Sequence, residues 1–289
     1  MHVLWILNII AYIINAVFTF GGGNLGWFGE DITSVSNTYE TLITPAGYAF
    51  SIWGLIFAGE LVFVIWGAFG SNRSSDVLNK GVSIWFIVAC LSQAAWIIAF
   101  TLESLIVSAV LLCIIAGSLF TAVVRLSIFK YEQHFLFLSI PFWTVHFPIG
   151  LHGGWTLAAS LINITIALET DSVRTETAAL LLTVVAAAVI ASFASIVFYD
   201  PIYLAAVVWA IAGIVAREDY RIERLGKPVA DGVTEGLEAL WIALVCVGVV
   251  GLIVYAVRMS MRKHEQLPDR HRAVDGTSDG SQTRAIFSS

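Results

Sequence analysis

The residues able to do chemistry in this chain sit inside its apolar stretches. Glu60 falls near the middle of the run 47–68, far from either end. An acid in hydrocarbon is expensive, so it must be protonated, hydrogen-bonded to another helix, or in contact with a cavity holding water or ligand. Trp53 precedes it by seven residues, two helical turns, which puts both on one face. Gln93 and Trp96 share a face three residues apart, and Trp155, Ala159 and Asn163, spaced by four, line a stripe. Flat rings, amides, an acid and one small residue are what an apolar, planar ligand with polar edges needs. Helix packing is the competing reading, because interhelical polar contacts worth about 0.6 kcal/mol each use the same residue types at the same spacing.

No nucleophile–base pair, carboxylate dyad, HExxH or glycine-rich phosphate loop accompanies them, so no catalytic residue is assigned and enzymatic activity is left open. His152 lies one turn before Trp155 and is the one candidate for an axial haem ligand. His146, six residues earlier, points about 240° away around a helix, so the two cannot grip one metal. A hydrogen-bonded packing role is the plainer reading of each, and no metal site is assigned. Cys90, Cys113 and Cys246 lie in apolar runs without CxxC spacing, which indicates neither a disulfide framework nor zinc.

The elements that must position these residues are membrane spans. Of 289 residues 58% are hydrophobic and 12% charged, against about 25% charged in soluble domains. About 20 apolar residues cross a bilayer, and eight such runs are predicted: 2–20, 47–68, 81–100, 104–126, 135–168, 178–198, 201–216 and 239–257. The fold class is therefore an all-α membrane protein. Pro141 and Pro148 interrupt the fifth run and predict a kink or an interfacial turn there. The seventh run is short and starts at Asp200-Pro201. Three units are expected: a five-helix bundle over 1–172, a three-helix transmembrane extension over 173–258, and a polar, disordered tail over 259–289.

Eight spans place both termini on one side, and that side carries ten of the 15 Lys and Arg residues. The positive-inside rule makes it the cytoplasm and turns the loop 21–46 outward; which membrane is involved stays open. Trp53, Gln93, Trp96, Ala159 and Asn163 then fall within about 15 Å of the outer surface, with Glu60 and Trp155 slightly deeper. Three helices offer aromatic and amide groups at one depth. The expected partners are the bilayer and a small hydrophobic ligand, with a homodimer left open; the net charge of -6 argues against nucleic acid.

The stretch Thr44-Pro45-Ala46-Gly47-Tyr48-Ala49-Phe50-Ser51-Ile52-Trp53-Gly54-Leu55-Ile56-Phe57 resembles the second-helix signature of the TspO/MBR family, the tryptophan-rich sensory or translocator proteins. Gln93 to Phe100 is similar to that family's third-helix run, and Pro148 to Asn163 to its fifth helix, with Ala and Asn four and eight residues after the Trp. The resemblance covers roughly residues 1–170, and the three later spans are those of its long members. It implies that the first five helices form a TspO-like bundle. An outward cavity beneath the loop between helices one and two would bind a tetrapyrrole such as protoporphyrin or haem as a ligand, with no cofactor required.

The family's pocket positions fall on Trp53, Trp96, Trp155, Ala159 and Asn163. Gln93 stands where the family has Asn, keeping the amide on a longer arm, and Glu60 joins the ligand-binding candidates. Pro45 and Tyr48 replace the proline pair and Trp of shorter members and, with Trp27, are candidates for the lid. Residues 161–169 lack the Tyr and Arg of the family's sterol pattern, so sterol binding is not expected. Two functions follow: a membrane sensor, regulator or trafficking protein for a flat hydrophobic ligand, or a secondary transporter in which Glu60 is the coupling residue.

Overall fold

A computed structural model describes residues 3–133, 139–168, 173–197 and 200–265, and among them every element is helical. Helix α1 (Leu4–Phe18) runs on through a π-helical turn, Thr19–Asn24. The short α2 (Ile32–Thr38) follows, and a 3-10 turn at Gly47–Ser51 leads into α3 (Ile52–Ala68). After two short turns come α4 (Trp85–Thr101), α5 (Leu105–Gln133) and α6 (Phe147–Ala167). The chain ends in α7 (Val173–Val197), α8 (Pro201–Val215), α9 (Glu218–Leu225) and α10 (Lys227–Glu265).

Among the described residues, five helices are long and apolar enough to cross a membrane, and seven segments qualify when two bent pairs count as single spans. Those pairs are 70–82 with α4, bent by 71°, and α8 with α9, bent by 52°. The expected span 178–198 falls in α7, whose apolar stretch Leu182–Phe193 is shorter. Helix α10 begins 12 residues before the expected 239 and continues to Glu265, past the Arg258 at which the polar tail is expected to start. The rest of that tail, 266–289, lies outside the described residues, as does the start of the expected span 135–168.

Burial follows the logic of an apolar solvent. In α1 the buried residues are Asn8, Ala11 and Asn15, while Ile6, Leu7, Ile10, Ile13 and Val17 face outward. In α10, Ile242, Val249, Val250 and Ile253 are likewise exposed. Lipid tails solvate such side chains as well as a protein core does, so small and polar residues go inward, where close packing and hydrogen bonds supply the cohesion.

The prolines act at helix starts. Pro148 sits in the first turn of α6, where its missing N–H costs nothing, and the π-helical turn Phe142–His146 makes the break expected near Pro141. Pro201 opens α8 under an Asp200 cap, whose carboxylate accepts the N–H groups of Ile202 and Tyr203, each at 3.0 Å.

Helix α6 is the hub: α5 lies along one side, α8 along another, and α3 and α7 complete its surroundings. Its contact with α8 is a backbone approach. A Cβ placed on Gly154 would stand 2.2 Å from Tyr203 O and 2.8 Å from the Ala206 Cβ, so only glycine lets the two helices meet there. Gly154→Ala is therefore expected to push α8 away and lower stability by about 1–3 kcal/mol. Thermal melting of the detergent-solubilised protein measures it; an unchanged midpoint contradicts the close approach.

Candidate functional site

Near one end of the bundle, α3, α4, α5 and α6 leave a cavity of about 50 Å³. Its wall contains Trp53 from α3, Trp96 and Phe100 from α4, Leu112 from α5, and Trp155, Ala159, Ile162, Asn163 and Ile166 from α6. Ile32 and Ser36 of α2 cover it, together with Pro45 and Phe50 from the segment entering α3. The rings meet in an ordered way. Trp155 lies edge-on to Trp53 (centroids 6.1 Å apart, 86°) and to Phe50 (5.9 Å, 83°), and Trp96 stacks on Phe100 (5.3 Å, 20°). Such pairs add about 0.5–1.5 kcal/mol beyond their burial and hold the walls apart as rigid plates. Ser108 of α5 donates to Asn163 Oδ1 at 2.6 Å and fixes that amide at the wall.

Two polar atoms of this wall have no partner. The indole N–H groups of Trp96 and Trp155 are buried and meet no acceptor, a state that costs about 1–3 kcal/mol per group. No charged side chain lines the cavity, so its chemistry is that of ring faces, indole N–H groups, the Ser36 hydroxyl and one amide. It suits a flat, mainly apolar molecule bearing hydrogen-bond acceptors. The lining holds no His, Cys, Met or Tyr that could act as an axial ligand, so an iron porphyrin would be held here by its ring and edges.

The sequence-derived candidates divide. Trp53, Trp96, Trp155, Ala159, Asn163 and the lid candidate Pro45 are brought together around the cavity. Gln93 is buried and turned to α1, where Asn15 Nδ2 donates to its Oε1 at 3.3 Å. Tyr48 is half exposed and stands edge-on to Trp209, 5.6 Å away, outside the cavity. Trp27 lies over Gly21, whose bare Cα gives its ring room, and is exposed rather than set over the cavity. The cover comes instead from α2, started by Asp31, whose side chain accepts the N–H groups of Thr33 and Ser34 and the Ser34 hydroxyl. These bonds, the hydroxyl first, hold the Asp31 carboxyl below its ordinary range.

Glu60 is fully buried, and its Oε1 lies 2.6 Å from His152 Nδ1. The histidine is thus engaged by a carboxylate and absent from the cavity lining, which removes the suggestion that it is a haem ligand at this site. Trp53 connects the two places: its ring lines the cavity and also stands edge-on to His152, 5.6 Å away. A second acid–imidazole contact lies just before α6, where His146 Nε2 is 3.1 Å from Asp200 Oδ2.

Sequence reasoning missed the inward amides Asn8 and Asn15, although their seven-residue spacing was a readable signal. It also passed over Phe100, one turn from Trp96, and Ile162 and Ile166, which extend the Trp155 stripe. Leu112, Ile32 and Ser36 gave no signal, since nothing in a leucine or a short polar loop marks a cavity wall.

Long apolar helices that expose apolar side chains and bury a few polar ones define an integral, multi-pass α-helical membrane protein. Its sequence matches the family model described as TSPO-like protein over residues 5–257, and the chain belongs to that family. The match runs beyond the roughly 170 residues that carry the resemblance and takes in α7, α8, α9 and most of α10. Neither the curated proteins nor the solved structures gave a match.

The Glu60–His152 pair has a measurable consequence. His152→Leu leaves the acid buried without its partner and is expected to cost about 3–5 kcal/mol, whereas adding Glu60→Leu restores most of the loss. Unfolding midpoints of the two variants in detergent decide it; equal destabilisation by the single and double changes contradicts the pairing.

Proposed function

We propose that this protein binds a flat, largely apolar small molecule of the tetrapyrrole kind between α3, α4, α5 and α6, in a sensory, regulatory or trafficking role. The observation that carries the reading is the pair of buried, acceptor-less indole N–H groups of Trp96 and Trp155 in an otherwise apolar, aromatic-walled cavity. A ligand carbonyl or carboxylate would relieve both. Membership of the TSPO-like family agrees with it.

Size sets a condition on this reading. About 50 Å³ holds a few water molecules, whereas small-molecule pockets span about 300–1,000 Å³. A tetrapyrrole therefore needs the surrounding segments to move apart before it can enter. Soret-band titration of the purified protein with protoporphyrin tests the site. Changing Trp53, Trp96 or Trp155 to Ala is expected to weaken binding by at least about tenfold each, as for aromatic anchors at the centre of a contact. Trp96→Phe and Trp155→Phe keep the ring, lose the donor, and should weaken it severalfold. Unchanged affinity in all three alanine variants rejects the cavity as the ligand site.

One observation favours a second reading, secondary transport: the Glu60–His152 pair buried mid-helix and touching the cavity through Trp53. Uptake into proteoliposomes driven by a proton gradient should then be lost in Glu60→Gln; uptake that survives removes the reason for this reading.

A further inference from the structure

The last four carbonyls of a helix have no partner within it, and where they end inside a protein something else must satisfy them. In α8 the donors come from two places. The carbonyls of Ile214 and Val215 accept from the guanidinium of Arg221, a fully buried side chain of α9. The carbonyl of Gly213 accepts the backbone N–H of Ala46, 2.9 Å away, from the segment that enters α3. One turn earlier, Trp209 Nε1 donates to Ala49 O at 2.9 Å. Just beyond the helix, Arg217 pairs with the Glu40 carboxylate, and the Tyr220 hydroxyl donates to Glu40 O at 3.0 Å.

Residues 40–49 are thus tied to α8 and α9 at Glu40, Ala46 and Ala49. The fit between them is close: a Cβ on Gly213 would lie 2.7 Å from the Ala49 Cβ and 3.0 Å from the Pro45 Cβ. Pro45 is a cavity wall, Phe50 follows directly, and Trp53 is one turn further on. The opposite edge of the cover is held differently. Helix α2, which supplies Ile32 and Ser36, has only seven residues, and the chain reaches it through Gly26 at φ +66°.

We infer that α8 and α9 are a working part of the ligand site, with Trp209, Gly213 and Arg217 as positioning residues. They fix the wall Pro45–Phe50 from behind and leave α2 as the side that yields when a ligand enters. The inference rests on the cavity being the ligand site, and it gives the C-terminal helices a role there: without them the segment 40–49 loses its anchors and the cavity one rigid wall.

Hydrogen exchange on the full-length protein in detergent tests this without a ligand. Trp209→Phe removes one N–H, and Arg217→Met removes one charge. Each is expected to raise exchange of the amides of residues 44–50 on the order of tenfold, as for loss of a hydrogen bond that holds a segment closed. The amides of α5 should keep their wild-type rates, and Arg217→Lys should recover most of the protection lost in Arg217→Met. Protoporphyrin dissociation should accelerate in the same variants and in the same order. Exchange that is unchanged, or raised equally in all helices, overturns the inference. So does a local rise in exchange with an unaltered dissociation rate. A wild-type chain that binds no protoporphyrin sinks the ligand reading instead, and the exchange comparison alone then decides whether α8 and α9 hold this wall.

Discussion

A polar atom placed among helices in an apolar solvent has no water to fall back on, and everything specific about this bundle follows from that. Leucines and isoleucines are as well solvated by lipid tails as by one another, so they cannot by themselves say which helix faces which. The few polar residues do. Asn15 meets Gln93 and brings α1 to α4; Glu60 meets His152 and brings α3 to α6; Asp200 sits against His146 and caps α8 on the flank of α6. Each contact joins elements far apart in sequence, and where no side chain is available glycine substitutes, as at Gly154 beneath Tyr203.

At the candidate site the same requirement goes unmet, as it also does at Asn8 of α1. Trp96 and Trp155 leave their indole N–H groups without an acceptor beside the cavity, where Trp155 stands edge-on to Trp53 and Trp96 stacks on Phe100. The niche is also small and covered, and the two sides of its cover are built differently. One is a seven-residue helix held by an aspartate cap, the other a segment tied by backbone and side-chain bonds to α8 and α9. Opening a closed cavity requires some part to yield while the remainder keeps its shape, and this division supplies both.

How much of this could be read from the chain depended on what each residue had to contact. Trp53, Trp96, Trp155, Ala159 and Asn163 were legible because helical spacing places them on single faces and span depth places those faces level. Glu60 was legible as an anomaly, but its partner was not: His152 lies 92 residues away, and nothing in the spacing of either marks a pair 2.6 Å apart. Gln93 had the face and depth of a cavity residue, yet it turns to Asn15, because an amide in reach of another amide on α1 gains more than one facing an apolar space. Trp27 and Tyr48 lie outside the cavity lining for a related reason. Loop aromatics are placed by whichever surface they can cover, which for Tyr48 is Trp209 on the distant helix α8.

Taken alone, the sequence determined the solvent, the class and the helical faces. Fifty-eight per cent hydrophobic residues in runs broken by Pro, Gly and charge admit only spanning helices, and a period of 3.6 then settles which side chains share a stripe. The tertiary structure decided which stripes meet, that α2 and not Trp27 covers the cavity, and that the C-terminal helices brace its wall. Local periodicity carries no information about those choices. They are settled where hydrogen-bond partners and close backbone approaches between distant segments are found, and lipid-facing apolar side chains, interchangeable in their solvent, leave such contacts alone to select one arrangement.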